Sequence, residues 1–250
     1  MVYFIGAGPG NVDLITVKGR DILSKADVVI YAGSLVNKEH MDFCKEGVEI
    51  HNSASMTLDD VLQVMKKAKA EDKEVVRLHT GDPAIYGAIK EQMDELVKLD
   101  INFEVVPGVS SFTAAAAAIK KEFTLPNVTQ TVILTRIEGR TPVPETEDLE
   151  KLASVGASMA VFLSVSMIEK VVAKLRAGYG RNVPIAVIEK ATWPDERAIL
   201  GTLDDISEKV KVAGITKTAQ ILVGDFIDCD YDKSLLYDKT FSHMFRDAEK

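Results

Sequence analysis

The chain has 250 residues, 46% of them apolar, which is enough to bury the core of one large domain or two ordinary ones without disulfide or metal staples. Its 38 acidic and 30 basic side chains give a formal charge of −8, which repels a phosphate backbone over most of the surface and argues against nucleic acid as a partner. The two cysteines, Cys44 and Cys229, and the four histidines, His40, His51, His79 and His243, show no metal-ligand spacing, so no protein-bound metal is expected. No stretch reaches about 18 apolar residues and no basic-then-apolar leader opens the chain, so a cytoplasmic protein without a membrane partner is expected.

Residues 2–5 read as a short buried strand that runs into Gly6-Ala7-Gly8-Pro9-Gly10 and then a helix with Ile15, Gly19, Ile22, Leu23 and Ala26 at helical spacing. A second strand is predicted at 28–31. Next comes a helix with Leu58, Val61, Leu62, Met65 and Ala68 on one stripe, capped by Thr57 with Asp60 at the third position. A third strand at 75–78 leads to a helix with Ile89, Met93, Leu96 and Val97 on one face, and a fourth at 103–106 stops at Pro107-Gly108. Past an alanine-rich helix, residues 120–131 are polar and suit a connection. Strands follow at 132–134, 160–163, 185–188, 197–200 and 221–223, with a helix carrying Ile168, Val171, Val172 and Leu175; Trp193-Pro194-Asp195 suits a hairpin turn. The expectation is an α/β protein of two domains, residues 1–120 with a mostly parallel sheet and residues 121–250 with a mixed one.

Three glycine-bearing turns end strands of the first domain. Gly6–Gly10 invites a dinucleotide reading, but the third glycine comes two residues after the second, Asn11 stands in its place, and Ala32-Gly33 replaces the ribose-binding acid after the second strand. A glycine turn that merely joins strand to helix is the plainer alternative. In Arg77-Leu78-His79-Thr80-Gly81-Asp82-Pro83-Ala84-Ile85-Tyr86-Gly87, Gly81 permits close backbone contact with a ligand. Asp82 suits either a ligand hydroxyl or ammonium, or an Asp-Pro turn that needs no ligand. Ser110 and Ser111 either cap the next helix or face a ligand. In a parallel sheet all three turns emerge on one edge, where ligands collect.

Together these segments resemble the tetrapyrrole methylase family: residues 2–19 (VYFIGAGPGNVDLITVKG), 77–87 (RLHTGDPAIYG) and 106–111 (VPGVSS) carry the likeness, which extends over nearly the whole chain. The resemblance implies two α/β domains forming a trough, S-adenosyl-L-methionine as cofactor (S-adenosyl-L-homocysteine as product), a first glycine loop that binds no phosphate, a tetrapyrrole substrate and a homodimer. It implies Pro9, Thr80, Gly81, Asp82, Ile85, Ser110 and Ser111 as cofactor neighbours from the first domain and Leu163 and Ala191 from the second, with Thr218-Ala219 a weaker candidate. Ala32-Gly33-Ser34-Leu35-Val36, residues 135–144 (TRIEGRTPVP) and the tail around Ser234–Tyr237 and Phe241–His243 resemble the branch that methylates carbon 11 of precorrin-4 or its cobalt complex in cobalamin synthesis. Thr80 and Ala88 depart from the uroporphyrinogen III branch, which usually has glycine and arginine there.

A precorrin carries many carboxylates while the chain is net negative, so a local basic lining is required. Arg136 and Arg140 are the candidates for substrate binding, against the alternative that they meet only solvent. Trp193 either lines the trough or anchors its hairpin. The rival readings are another tetrapyrrole methylase, a catalytically silent nucleotide-binding module on the same fold, and a related methylase acting on RNA or protein. No catalytic residue is singled out.

Overall fold

The computed structural model describes residues 1–249, the Ser34 side chain aside. In chain order its elements are β1 (Val2–Gly6), α1 (Val17–Leu23), β2 (Val28–Tyr31), β3 (Glu49–Asn52), α2 (Leu58–Ala70), β4 (Val75–His79), α3 (Lys90–Lys98), β5 (Phe103–Val106), α4 (Ser111–Ala118), β6 (Val132–Arg136), α5 (Leu149–Ala153), β7 (Ser158–Phe162), α6 (Ile168–Tyr179), β8 (Pro184–Glu189), β9 (Arg197–Thr202), α7 (Ile206–Val212) and β10 (Ala219–Val223). Five strands form an all-parallel sheet in the order β3-β2-β4-β1-β5. The other five form a mixed sheet, β6-β7-β10-β8-β9, in which only β6 and β7 run parallel. These are the two α/β sheets that the alternation of elements predicts.

The chain makes two compact units: Met1–Ala114 with Lys190–Asp195, and the remainder. In the first, side chains alternate between the faces of the sheet, so Phe4, Val28 and Ile30 pack on one side with Met65 and Leu96, while Ile5, Val29, Val76 and Leu78 pack on the other with Leu23. The second unit buries Met159, Val161, Ile185 and Ile221 against Leu149, Leu175 and Ile206. Among the described residues no helix is long and apolar enough to cross a membrane.

Local signals place most elements. Thr57 Oγ1 accepts from Asp60 N at 3.2 Å while the Asp60 carboxylate accepts from Thr57 N at 2.8 Å, the reciprocal cap that starts α2. α6 buries Ile168, Val171, Val172 and Leu175 and ends at Gly180, whose φ is +65°. Several features differ from expectation. β3, an edge strand of Glu-Ile-His-Asn, has no apolar alternation to reveal it, and α5 and α7 are too short to show a period. Val97 is 67% exposed, and Gln92 takes the buried place, because positions 89, 92, 93 and 96 form the inward stripe of α3. β7 ends at Phe162, since Leu163 leaves the strand with φ +54°. α1 starts at Val17, where Thr16 Oγ1 accepts from Gly19 N, and leaves Ile15 and Ala26 outside it.

Candidate functional site

The parallel register sets Gly6 beside His79 and Ile5 beside Val106, so the turns after β1, β4 and β5 leave the sheet side by side. Backbone contacts then join them. Ala7 N donates to His79 O at 2.7 Å, and Gly8 and Gly81 exchange N–H···O bonds of 3.3 and 2.8 Å. A Cβ on Gly6 would lie 2.5 Å from Gly81 O and 2.6 Å from Gly108 Cα, and one on Gly108 would strike the same Gly81 oxygen. Gly6 and Gly108 are therefore needed for the three turns to meet, while Gly81 is favoured by its φ of +63°. Asp82 ties the second to the third: its Oδ2 accepts from Gly108 N at 2.9 Å and its Oδ1 from Ala84 N at 2.8 Å.

Gly10 has a different reason. Its missing side chain makes room for the Trp193 indole, whose Nε1–H donates to Pro9 O at 3.0 Å, and Asn11 N donates to Thr192 Oγ1 at 3.0 Å. The turn 190–195 thus covers the first glycine loop, and Ala191 is buried on it between Lys190 and Thr192, both at positive φ. The segment after β2 closes the other flank: Asn37 Nδ2–H donates to Gly10 O at 3.1 Å and Thr80 Oγ1–H to Leu35 O. Beneath the turns, β4 buries two polar side chains, Arg77 and His79. Burial, with Arg77 as a second cause, pushes the His79 imidazole down to about 3, so it is neutral.

In the second unit the ends of β6 and β7 lie together, Arg136 beside Phe162. Ser164, fully buried, fastens them: its Oγ–H donates to Phe162 O at 2.6 Å and its oxygen accepts from Ile137 N at 3.1 Å. Leu163 is thereby held at φ +54° with its side chain 67% exposed, an apolar group presented in a conformation that costs roughly 1–2 kcal/mol for a residue with a Cβ. The β7–β10 register runs as far as Ile221 opposite Val161, and Thr218, just ahead of β10, stands at φ +54°. The Arg136 guanidinium bends back onto its own loop, donating to the carbonyls of Ile137, Thr141 and Pro142 at 3.2, 3.2 and 2.7 Å. Arg140 is exposed and has neither hydrogen bond nor ion pair to another described residue. That loop is clamped to α6, where Lys170 and Lys174 reach Glu138 at 2.7 and 3.3 Å and Lys174 also meets Asp148.

The sequence profile of the tetrapyrrole (corrin/porphyrin) methylases matches residues 1–207. The chain belongs to this family. Among its relatives, the cobalt-precorrin-4 C(11)-methyltransferase of Methanocaldococcus jannaschii is 55% identical over 251 residues, covering 100% of this methylase and 97% of that protein. A crystal structure of a cobalt precorrin-4 methyltransferase, described as a cobalamin biosynthetic enzyme, superimposes with a TM-score of 0.89 at 48% identity, over 91% of this methylase and 96% of that chain. Uroporphyrin-III C-methyltransferase from Thermus thermophilus, crystallised with S-adenosyl homocysteine, has a TM-score of 0.76 at 25% identity, over 90% of this chain and 98% of that one.

In the methylase, Pro9, Thr80, Gly81, Asp82, Ile85 and Ser110 lie on the turns of the parallel sheet's C-terminal edge, Ser111 opens α4, and Ala191 lies on the segment that covers the first of those turns. Leu163 and Arg136 stand at neighbouring strand ends of the mixed sheet, with Arg140 beyond. Four participants carry little or no sequence signal of their role. Asn37 and Leu35 sit in a segment that only the resemblance marks, Trp193 reaches Pro9 across a long sequence separation, and Gln92 is a polar residue in the buried stripe of a helix. A break in that stripe is the one clue the sequence holds for Gln92.

Proposed function

We propose that this chain transfers the methyl group of S-adenosylmethionine to carbon 11 of precorrin-4, free or as its cobalt complex. The observation that carries the reading is the likeness, along the entire chain, to the archaeal cobalt-precorrin-4 C(11)-methyltransferase. The residues present suit the cofactor. Gly81 offers bare backbone at φ +63° beside buried Ser110, half-buried Ile85 is apolar, and each Asp82 carboxylate oxygen, having accepted one backbone N–H, keeps a lone pair for a hydroxyl or ammonium. S-adenosylmethionine, when bound, supplies a methyl group already made electrophilic by its sulfonium.

The work left to the protein is alignment and exclusion of water. Thr80, Gly81, Asp82, Ser110 and Ser111 are the proposed cofactor-orienting residues, and Asp82, fixed by Gly108 N and Ala84 N, needs no reorganisation to accept from a ligand. Ile85, Leu163 and Ala191 are proposed as its apolar neighbours. An apolar surface disfavours the charged sulfonium relative to the more neutral transition state, in keeping with differential binding. Arg140, whose N–H donors meet no partner among the described residues, is the better placed of the two arginines for a substrate carboxylate.

The test is incubation of the purified protein with methyl-labelled S-adenosylmethionine and, in separate reactions, cobalt-precorrin-4, precorrin-4 or uroporphyrinogen III, read by mass spectrometry and carbon NMR. One added methyl at carbon 11 is expected. Labelling of uroporphyrinogen III instead, or of no tetrapyrrole, refutes the assignment.

A further inference from the structure

Arg77 lies in β4, 7% exposed, and no carboxylate among the described residues pairs with it. Burial pulls its guanidinium down to about 10, which still leaves it charged at neutral pH. Nη1–H donates to Ile30 O on the neighbouring strand at 3.2 Å, and Nε–H donates to Gln92 Oε1 at 3.3 Å. Gln92, 6% exposed, passes the connection on: its Nε2–H donates to Ala88 O at 3.0 Å. A buried cation without a counter-charge is costly, and apart from neutral His79, whose ring lies 6.0 Å from that of Phe4, the surrounding core of Phe4, Ile30, Ile89 and Leu96 is apolar, so an apolar pair would serve packing better.

What the relay holds is Ala88. This residue has φ +49° and follows Tyr86 at φ +55°, while Gly87 is folded so closely on Pro83 O that no Cβ would fit. Residues 82–88 therefore form a contorted loop pinned at both ends, by Asp82 on Ala84 N and Gly108 N, and by Gln92 on Ala88 O. Ile85 lies between the pins. A loop with left-handed non-glycine residues keeps that shape only where its surroundings over-determine it.

We propose that Arg77 and Gln92 are positioning residues: Arg77 fixes the amide of Gln92, and Gln92 holds the exit of the 82–88 loop so that Gly81, Asp82 and Ile85 are presented to the cofactor. This rests on the reading of that loop as cofactor-binding. Gln92→Glu separates positioning from support of the core. The new carboxylate gives the buried guanidinium a counter-charge, yet it removes the N–H that Ala88 O accepts and sets two acceptors against each other.

The experiment measures thermal unfolding and, by calorimetry, S-adenosylhomocysteine affinity for the wild type, Gln92→Glu, Gln92→Met and Ile85→Asp. Gln92→Glu is expected to melt at or above the wild-type temperature while its Kd rises about five- to tenfold, as the loss of one hydrogen bond implies. Gln92→Met, which also lacks the N–H, is expected to show the same rise and serves if Gln92→Glu does not fold; kcat at saturating cofactor should be close to wild type in both. Wild-type affinity in the folded Gln92 variants, or affinity that merely tracks melting temperature, overturns the proposal. Wild-type affinity in Ile85→Asp overturns the reading of the loop itself, which is a different failure.

Discussion

Asp82, proposed above as a cofactor neighbour, also has a part in the fold. Its two oxygens each accept one backbone N–H, from Ala84 and Gly108, so Asp82→Ala unties the second turn from the third as well as removing the remaining acceptor capacity. Hydrogen bonds to a charged group are worth about 1.5–3 kcal/mol, so the variant should lose about 2 kcal/mol of unfolding free energy in urea and also bind S-adenosylhomocysteine more weakly. Unchanged stability with lost affinity would mean that the ties are incidental. His79 sets a pH dependence. Its folded value of about 3 lies below the ordinary 6.5, so the unfolded chain takes up the proton first. The stability that this neutral group preserves is complete above 6.5 and drains away as pH falls from 6.5 toward 3. Between pH 7 and pH 5 the loss from this residue is about 2 kcal/mol. His79→Gln should show a correspondingly shallower decline in denaturant titrations at the two pH values.

At the scale of elements, strand ends matter more than strands. Ser164 locks the ends of β6 and β7 together, and the arginine that closes β6 turns inward on the loop it begins. The two arginines of this loop, alike in the sequence, therefore differ in their surroundings: Arg136 bonds its own loop and Arg140 is exposed. Arg136→Ala removes contacts to three carbonyls and should lower stability by about 1 kcal/mol, because most of those contacts are near solvent. Arg140→Ala should leave the melting curve unchanged and raise KM for the tetrapyrrole several-fold, with kcat little altered if the contact is equal in ground and transition states. Steady-state kinetics on both variants, at fixed saturating S-adenosylmethionine, distinguishes them. Equal KM values for Arg140→Ala and wild type would move the basic lining elsewhere on the surface.

At the scale of the molecule, the first unit is discontinuous. Residues 190–195 come from the second half of the chain, yet Trp193 and Thr192 supply the bonds that cover Pro9, Gly10 and Asn11. A fragment of residues 1–120 lacks this cover. Calorimetric titration of that fragment with S-adenosylhomocysteine should show much weaker binding than the full chain, and near-native affinity would mean that the cover is dispensable. Trp193→Ala in the full chain should lie between the two, since it keeps the Thr192 bond while leaving a cavity over Gly10.

Much of this was legible before any coordinates. Strand and helix periods, the Thr57 cap and the alternation of elements imply a parallel sheet followed by a mixed one, because backbone pairing and burial act on local pattern. The three glycine turns and the segments around them mark the family. Other features follow from contacts between residues far apart in sequence, and only the tertiary structure decides them. Gly6 and Gly108 are glycines because their backbones touch each other and Gly81 O, Gly10 because Trp193 lies on it, and Gln92 is buried because Arg77 and Ala88 flank it. Residue type sets what a position is able to do in its own stretch of chain; which neighbour it meets depends on packing that no local pattern encodes.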